Sequence, residues 1–107
     1  MPRTVAILHY ASPPVIGGVE ATIAHHARGL ADAGWPVRVI SGSGASFDAR
    51  VETCIDPLFS STHPDVLAVK RELDRGLVSS AFDRLVDQQE AALRRALDGT
   101  DICIVHN

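Results

Sequence analysis

A chain of 107 residues, 46% apolar and 21% charged, has the balance of one small globular domain and excludes a disordered, fibrous or multidomain reading. Its net charge of −3 excludes a general affinity for nucleic acid or for an anionic membrane surface. Cys54 and Cys103 supply neither a disulfide framework nor a metal spacing, and both lie in apolar runs, where thiols are commonly buried and inert.

Residues 4–9 read as the first strand. Their nearly continuous apolar character means that both faces are covered, as in a parallel sheet with helices on each side. No signal-peptide core accompanies this run, and no segment is long enough to span a bilayer. A soluble, cytoplasmic protein is expected, with any membrane contact peripheral and made through another part or partner.

Tyr10 to Glu20 is a strand-to-helix loop, the stretch around which the rest is organised. In an α/β sheet such a loop lies at the carboxyl end of a strand, where ligands bind. Gly17 and Gly18 allow close backbone approach, and a helix start offers unpaired N–H groups and a positive dipole end, which suits a phosphate. The residues themselves leave open whether these glycines contact phosphate or serve a tight turn that needs positive φ. The spacing is not that of a dinucleotide fingerprint, and no Gly-Lys-Ser/Thr follows, so a nucleoside-triphosphate P-loop is excluded.

Val19, Ile23, Ala27, Leu30 and Ala31 then mark one helical face, with Glu20 in the first turn favouring the dipole and Gly34 as the left-handed stop. Val37 to Ser41 is a second strand. A strand, helix and strand of these lengths place the two strands side by side and parallel. Gly42 to Arg50 is a loop, Val51 to Ile55 a third strand, and Asp56 to Pro64 a polar irregular connection.

From Asp65 a helical pattern returns, with Val66, Val69, Leu73 and Leu77 on one side and Gly76 weakening its end. A further helix over residues 80–97 carries Phe82, Leu85, Val86, Leu93 and Leu97 as its stripe, with Gly99 as its stop. Residues 101–107, Asp-Ile-Cys-Ile-Val-His-Asn, form a fourth strand with a polar end. The fold class expected is α/β, a Rossmann-like three-layer α/β/α arrangement around a mainly parallel sheet, as a single domain over residues 1–107 that reads as the first half of a larger one, since a doubly wound domain continues from such a strand into a further loop and helix.

If all strands are parallel, His106 and Asn107 fall on the same sheet edge as the Gly-Gly loop, and that position points to a site role over a simple strand cap. A histidine there can hydrogen-bond a sugar hydroxyl or act as a base. His9 reads as a packed strand-end residue within reach of the same crevice. His25 and His26 are helix neighbours about 100° apart, so they cannot chelate a metal as an i, i+4 pair would, and they read as solvated or flank-packing. His63 reads as loop. Asp56 and Asp101 have no sharp role, and Ser12 has neither a base nor a nucleophile elbow.

The strand Val5-Ala-Ile-Leu8, the loop Pro13-Pro-Val-Ile-Gly-Gly-Val-Glu20, the helix ending Leu30-Ala-Asp-Ala-Gly34 and the strand Val37-Arg-Val-Ile40 together resemble the N-terminal domain of retaining GT-B glycosyltransferases of the GT4-like group. Leu93-Arg-Arg-Ala-Leu97, followed by Asp101 to Asn107, is similar to that group's Asp-to-His strand. The resemblance implies transfer of a sugar from a nucleotide-activated donor to an acceptor, with retention, in a cleft between two facing Rossmann-like domains. By it, Gly17, Gly18 and Val19 approach the donor's diphosphate or sugar, and His106 and Asn107 face the acceptor. The nucleotide-sugar is a substrate, and neither a cofactor nor a metal is implied.

The group's paired-glutamate C-terminal domain and the later strand with its active-site histidine do not occur in these residues. No catalytic residue is therefore assigned, and the chain alone is expected to be inactive. A missing C-terminal domain is the implied partner, and the open sheet edge is where another chain would pair. The competing readings are a dinucleotide-binding oxidoreductase or epimerase domain and a non-catalytic α/β interaction module.

Overall fold

The computed structural model describes residues 3–107. In chain order the elements are β1 (Val5–Leu8), α1 (Gly18–Asp32), β2 (Val37–Ser41), β3 (Val51–Ile55), α2 (Pro64–Asp74), α3 (Ser80–Ala96) and β4 (Ile102–Val105). A single 3-10 turn, Pro57–Phe59, lies within the connection that reads as irregular in sequence. It forms there because the Asp56 carboxylate accepts from the Leu58 amide 3.0 Å away and Pro57 presets the first φ.

The sheet order is β3–β2–β1–β4, and every pair is parallel. The fold is thus the expected Rossmann-like α/β arrangement. The chain builds outward from β1 to β3, then returns to lay β4 on the other side of β1. That reversal makes the carboxyl ends of β1 and β4 the switch point, the place where open α/β sheets hold ligands.

Alternation along the strands feeds two separate cores. On one face Ile7, Val37, Val39 and Val51 meet Ile23 and Ala27 of α1, with Val19 and Leu30 packed around them. On the other, Ala6 and Ile40 meet Ala96 of α3, with Leu8, Cys54, Phe59 and Leu97 around them. Ile7 and Ile23 are wholly buried, and each such side chain contributes about 1.5–3 kcal/mol relative to exposure. β4 is an edge strand, and Val105 is 67% exposed.

The helices start and stop for local reasons. The Ser79 hydroxyl accepts from the Ala81 amide at 3.2 Å to cap α3 and donates to Glu72 of α2, joining the two helices. His63, which reads as loop, is the N-cap of α2, its Nδ1 accepting from the Asp65 amide at 3.1 Å. Gly76 has φ 75° and follows the α2 C-cap Arg75, so it terminates that helix instead of weakening it from within. Leu77 consequently lies past the helix and is half exposed.

The stripe of α3 is shifted from its sequence reading. Leu85, Ala92 and Ala96 are its buried residues, whereas Val86 is 43% exposed. Small alanines let the helix backbone approach the sheet, and beneath its end Arg38 of β2 donates through Nη1 to the carbonyls of Ala96 at 2.7 Å and Asp98 at 2.6 Å. A strand arginine thus caps the negative end of α3.

Candidate functional site

The loops at the carboxyl edge are fixed before any side chain of interest is reached. Beyond β1 the His9 amide donates to Ile40 O at 3.1 Å and Ser12 N to Ser43 O at 2.8 Å, so the chain still runs beside the loop that follows β2. The Ser12 and Ser41 hydroxyls are buried and bonded to each other at 2.8 Å. A side chain at Gly42 would collide with the Ser60 backbone, and Gly44, at φ 141°, lies against Ser12. These contacts make a rigid floor from which Pro13 to Gly17 leads to α1.

Neither Gly17 nor Gly18 lies in the left-handed region of φ. Gly17, the N-cap of α1, is extended at φ 174° and ψ 166°, so the left-handed turn that would have accounted for these glycines is absent. At Gly17 the Glu20 carboxylate occupies the space a Cβ would fill. Gly18 faces open space. No side chain caps α1, which leaves its first amides unclaimed at an exposed surface. Val19 packs its side chain into the α1 core, so its contribution to a site is its N–H.

His9 and Glu20 stand beside this helix start, each under 10% exposed. The Nδ1 of His9 is 3.1 Å from the carbonyl of His106. A carbonyl can only accept, so Nδ1 carries a hydrogen and donates it. The opposite ring nitrogen, Nε2, is buried without a hydrogen-bond partner and lies 3.9 Å from Oε1 of Glu20. His9 thereby links the end of β4 to the start of α1.

His106 extends the β1–β4 ladder through its amide, which donates to Leu8 O at 2.9 Å. Its ring is half-buried, with Nε2 lacking a partner. The His26 ring stands edge-on to it at 6.3 Å. His26 therefore belongs to this edge, whereas His25 is exposed and takes no part. Asn107 is exposed beyond the strand.

A groove of about 220 Å³ opens at the switch point between β1, β4 and α3. Leu8, Phe59, Leu93 and Val105 form its apolar wall, and His9, His106 and Gln89 its polar groups. On the other side of the loop, Pro14, Val15, Ile16, Gly17 and Glu20 line a second hollow of about 250 Å³, with Ile16 fully exposed. The His9–Glu20 pair forms part of the wall between the two. Gly17, Gly18, Val19, His106 and Asn107 do share one sheet edge.

Sequence reasoning gave Glu20 only a dipole role. Its position as the third helical residue after an N-cap is that of the acidic member of a capping box, the one local signal that it folds back on the loop. Among the described residues no three His, Cys, Asp or Glu side chains gather as a metal cage requires, and no helix is long and apolar enough to cross a membrane. Cys103 lies on the edge strand, and partial burial pushes its thiol pKa up, away from nucleophilic use. Among the described residues the edge thus offers helix-start amides without a side-chain cap, imidazoles for hydrogen bonding and an apolar groove. No family model matches the chain, and neither a curated protein nor a solved structure matches it.

Proposed function

We propose that this chain is the acceptor-side part of a glycosyltransferase that moves a sugar from a nucleotide-activated donor to an acceptor with retention. One observation carries the reading: α1 begins without a side-chain cap at Gly17, on the carboxyl edge of a parallel sheet, with its first amides exposed beside the switch point. In this reading those N–H groups and the helix dipole stabilise charge developing on the leaving diphosphate. The groove bounded by His106 and Gln89 takes the acceptor, whose hydroxyls the imidazole and amide bind. Catalytic groups and most of the nucleotide contacts come from a second domain, so the 107 residues alone do not turn over. The reaction takes place in the cytoplasm, without a metal or a cofactor.

Amide mapping separates this from a dinucleotide-binding domain. Titrating the ¹⁵N-labelled chain with pyrophosphate is expected to move the amides of Gly17, Gly18 and Val19. A preference for NAD over pyrophosphate and nucleoside diphosphates, or shifts confined to other loops, would overturn the reading.

A further inference from the structure

We infer that the groove at the switch point takes one chemical class of acceptor, a single-ring aromatic alcohol, with the ring against the apolar wall and the hydroxyl at Gln89 and His106, in preference to an unsubstituted sugar. That this ligand is an acceptor rests on the transferase reading above; its chemistry rests on the groove alone. No Asp, Glu, Lys or Arg lines the groove. A phosphorylated or carboxylated ligand would meet no opposite charge there, and a charge taken from water without a partner is costly.

The wall is built by the fold. Leu8 and Val105 stand opposite each other in the β1–β4 register, and Leu93 of α3 and Phe59 complete the apolar surface. Tyr10, half exposed, adds a second aromatic ring, and aromatic groups favour edge or offset contact with a ligand ring. The groove's volume of about 220 Å³ exceeds the roughly 150 Å³ of apolar cavity that suffices for benzene, so one substituted ring fits.

Hydrogen-bonding capacity is small and directional. Gln89 donates through Nε2 to Leu58 O at 3.2 Å, which fixes the amide and leaves Oε1 to accept. The same bond ties α3 to the 3-10 turn that carries Phe59, so Oε1 and the aromatic wall are held in one frame. His9 turns Nδ1 to the His106 carbonyl and its buried Nε2 toward Glu20, which leaves the His106 ring as the second polar partner. One hydroxyl is satisfied by these two groups. The several hydroxyls of a pyranose are not, and each one left unpaired against the apolar wall forfeits its hydrogen bond to water.

Titrations of the 107-residue chain, labelled with ¹⁵N and with ¹³C at its methyl groups, test this with p-cresol, its methyl ether p-methylanisole, and methyl glucoside. The signals of the Leu8, Leu93 and Val105 methyl groups and of the Gln89 side-chain amide are expected to move with p-cresol. It should bind roughly 10-fold or more tightly than methyl glucoside, the cost of hydroxyls left unpaired. It should also bind several-fold more tightly than the ether, which keeps the ring and loses the donor, and Gln89→Leu is expected to close that gap while the ring still binds. Val105→Thr, at an edge position 67% exposed, is expected to weaken p-cresol about 4-fold, the worth of roughly one buried methyl group. Methyl glucoside binding as tightly as p-cresol, shifts confined to other surfaces, or no shift with any of the three overturns the inference.

Pyrophosphate, followed at Gly17 to Val19, separates this from the reading it extends. If p-cresol binds the groove and pyrophosphate does not bind, the aromatic-alcohol site stands and the transferase reading fails. If pyrophosphate binds and methyl glucoside is preferred in the groove, the transferase reading stands and the aromatic acceptor is ruled out.

Discussion

The carboxylate of Glu20 lies over the α-carbon of Gly17, in the volume a methyl group would need. Both belong to the first turn and cap of α1, and Glu20 is only 7% exposed, so it cannot swing into solvent without vacating its place beside His9. Gly17→Ala is expected to push the flexible end of the Glu20 side chain aside, at a cost of about 1 kcal/mol. Gly18→Ala, one residue on and facing open space at ordinary φ, should be neutral or stabilising by up to about 1 kcal/mol. Urea unfolding of the two variants checks the contrast, and equal effects would count against the packing described.

Arg38 gives a second contrast within one side chain. Its guanidinium donates to two carbonyls at the end of α3 and to Glu52 across the β2–β3 pair at 2.8 Å. Losing charged hydrogen bonds at a largely buried site is expensive, so Arg38→Met is expected to cost about 2 kcal/mol. Glu52 is well exposed, and Glu52→Gln should stay within about 0.5 kcal/mol. Thermal unfolding that ranks the two variants in the opposite order would place the stabilisation in the ion pair instead of the cap.

Acid stability should reflect Asp48. Side-chain hydrogen bonds from Arg50, reinforced by the Arg50 amide and by nearby Arg28, hold its carboxyl at about 2 against an ordinary 3.8. The folded value is the lower one, so the contribution to stability is in place above 3.8 and is lost as pH falls through about 2. The melting temperature of the native chain is expected to converge on that of Asp48→Asn over this window. A constant gap between them down to the acid end would show that the carboxylate is not linked to folding.

Much of the fold was readable because its signals are local. β2 and β3 have the boundaries that Val37 to Ser41 and Val51 to Ile55 suggest, and α1 stops before Gly34, at φ 86°. Val86 misled because periodicity cannot tell that Ala92 and Ala96, being small, are the residues that meet the sheet. Leu77 misled because Gly76 adopts positive φ and ends α2 before the apolar pattern runs out.

The candidate edge was legible only in outline. Gly17, Gly18 and His106 could be placed on one side of the sheet from strand direction alone. The bond from His9 to the His106 carbonyl requires the register Leu8 opposite Val105, a pairing across almost the whole chain. The burial of Glu20 depends on how Pro13 to Gly17 folds back, and no spacing rule encodes that.

The reading as a sugar transferase is most directly tested on the natural gene product that carries these residues. Supplied with UDP-, GDP- and ADP-sugars and candidate acceptors, it is expected to transfer a sugar and release the nucleoside diphosphate, and proton NMR of the product should show the donor's anomeric configuration retained. No transfer from any donor, or a product of inverted configuration, would contradict the account.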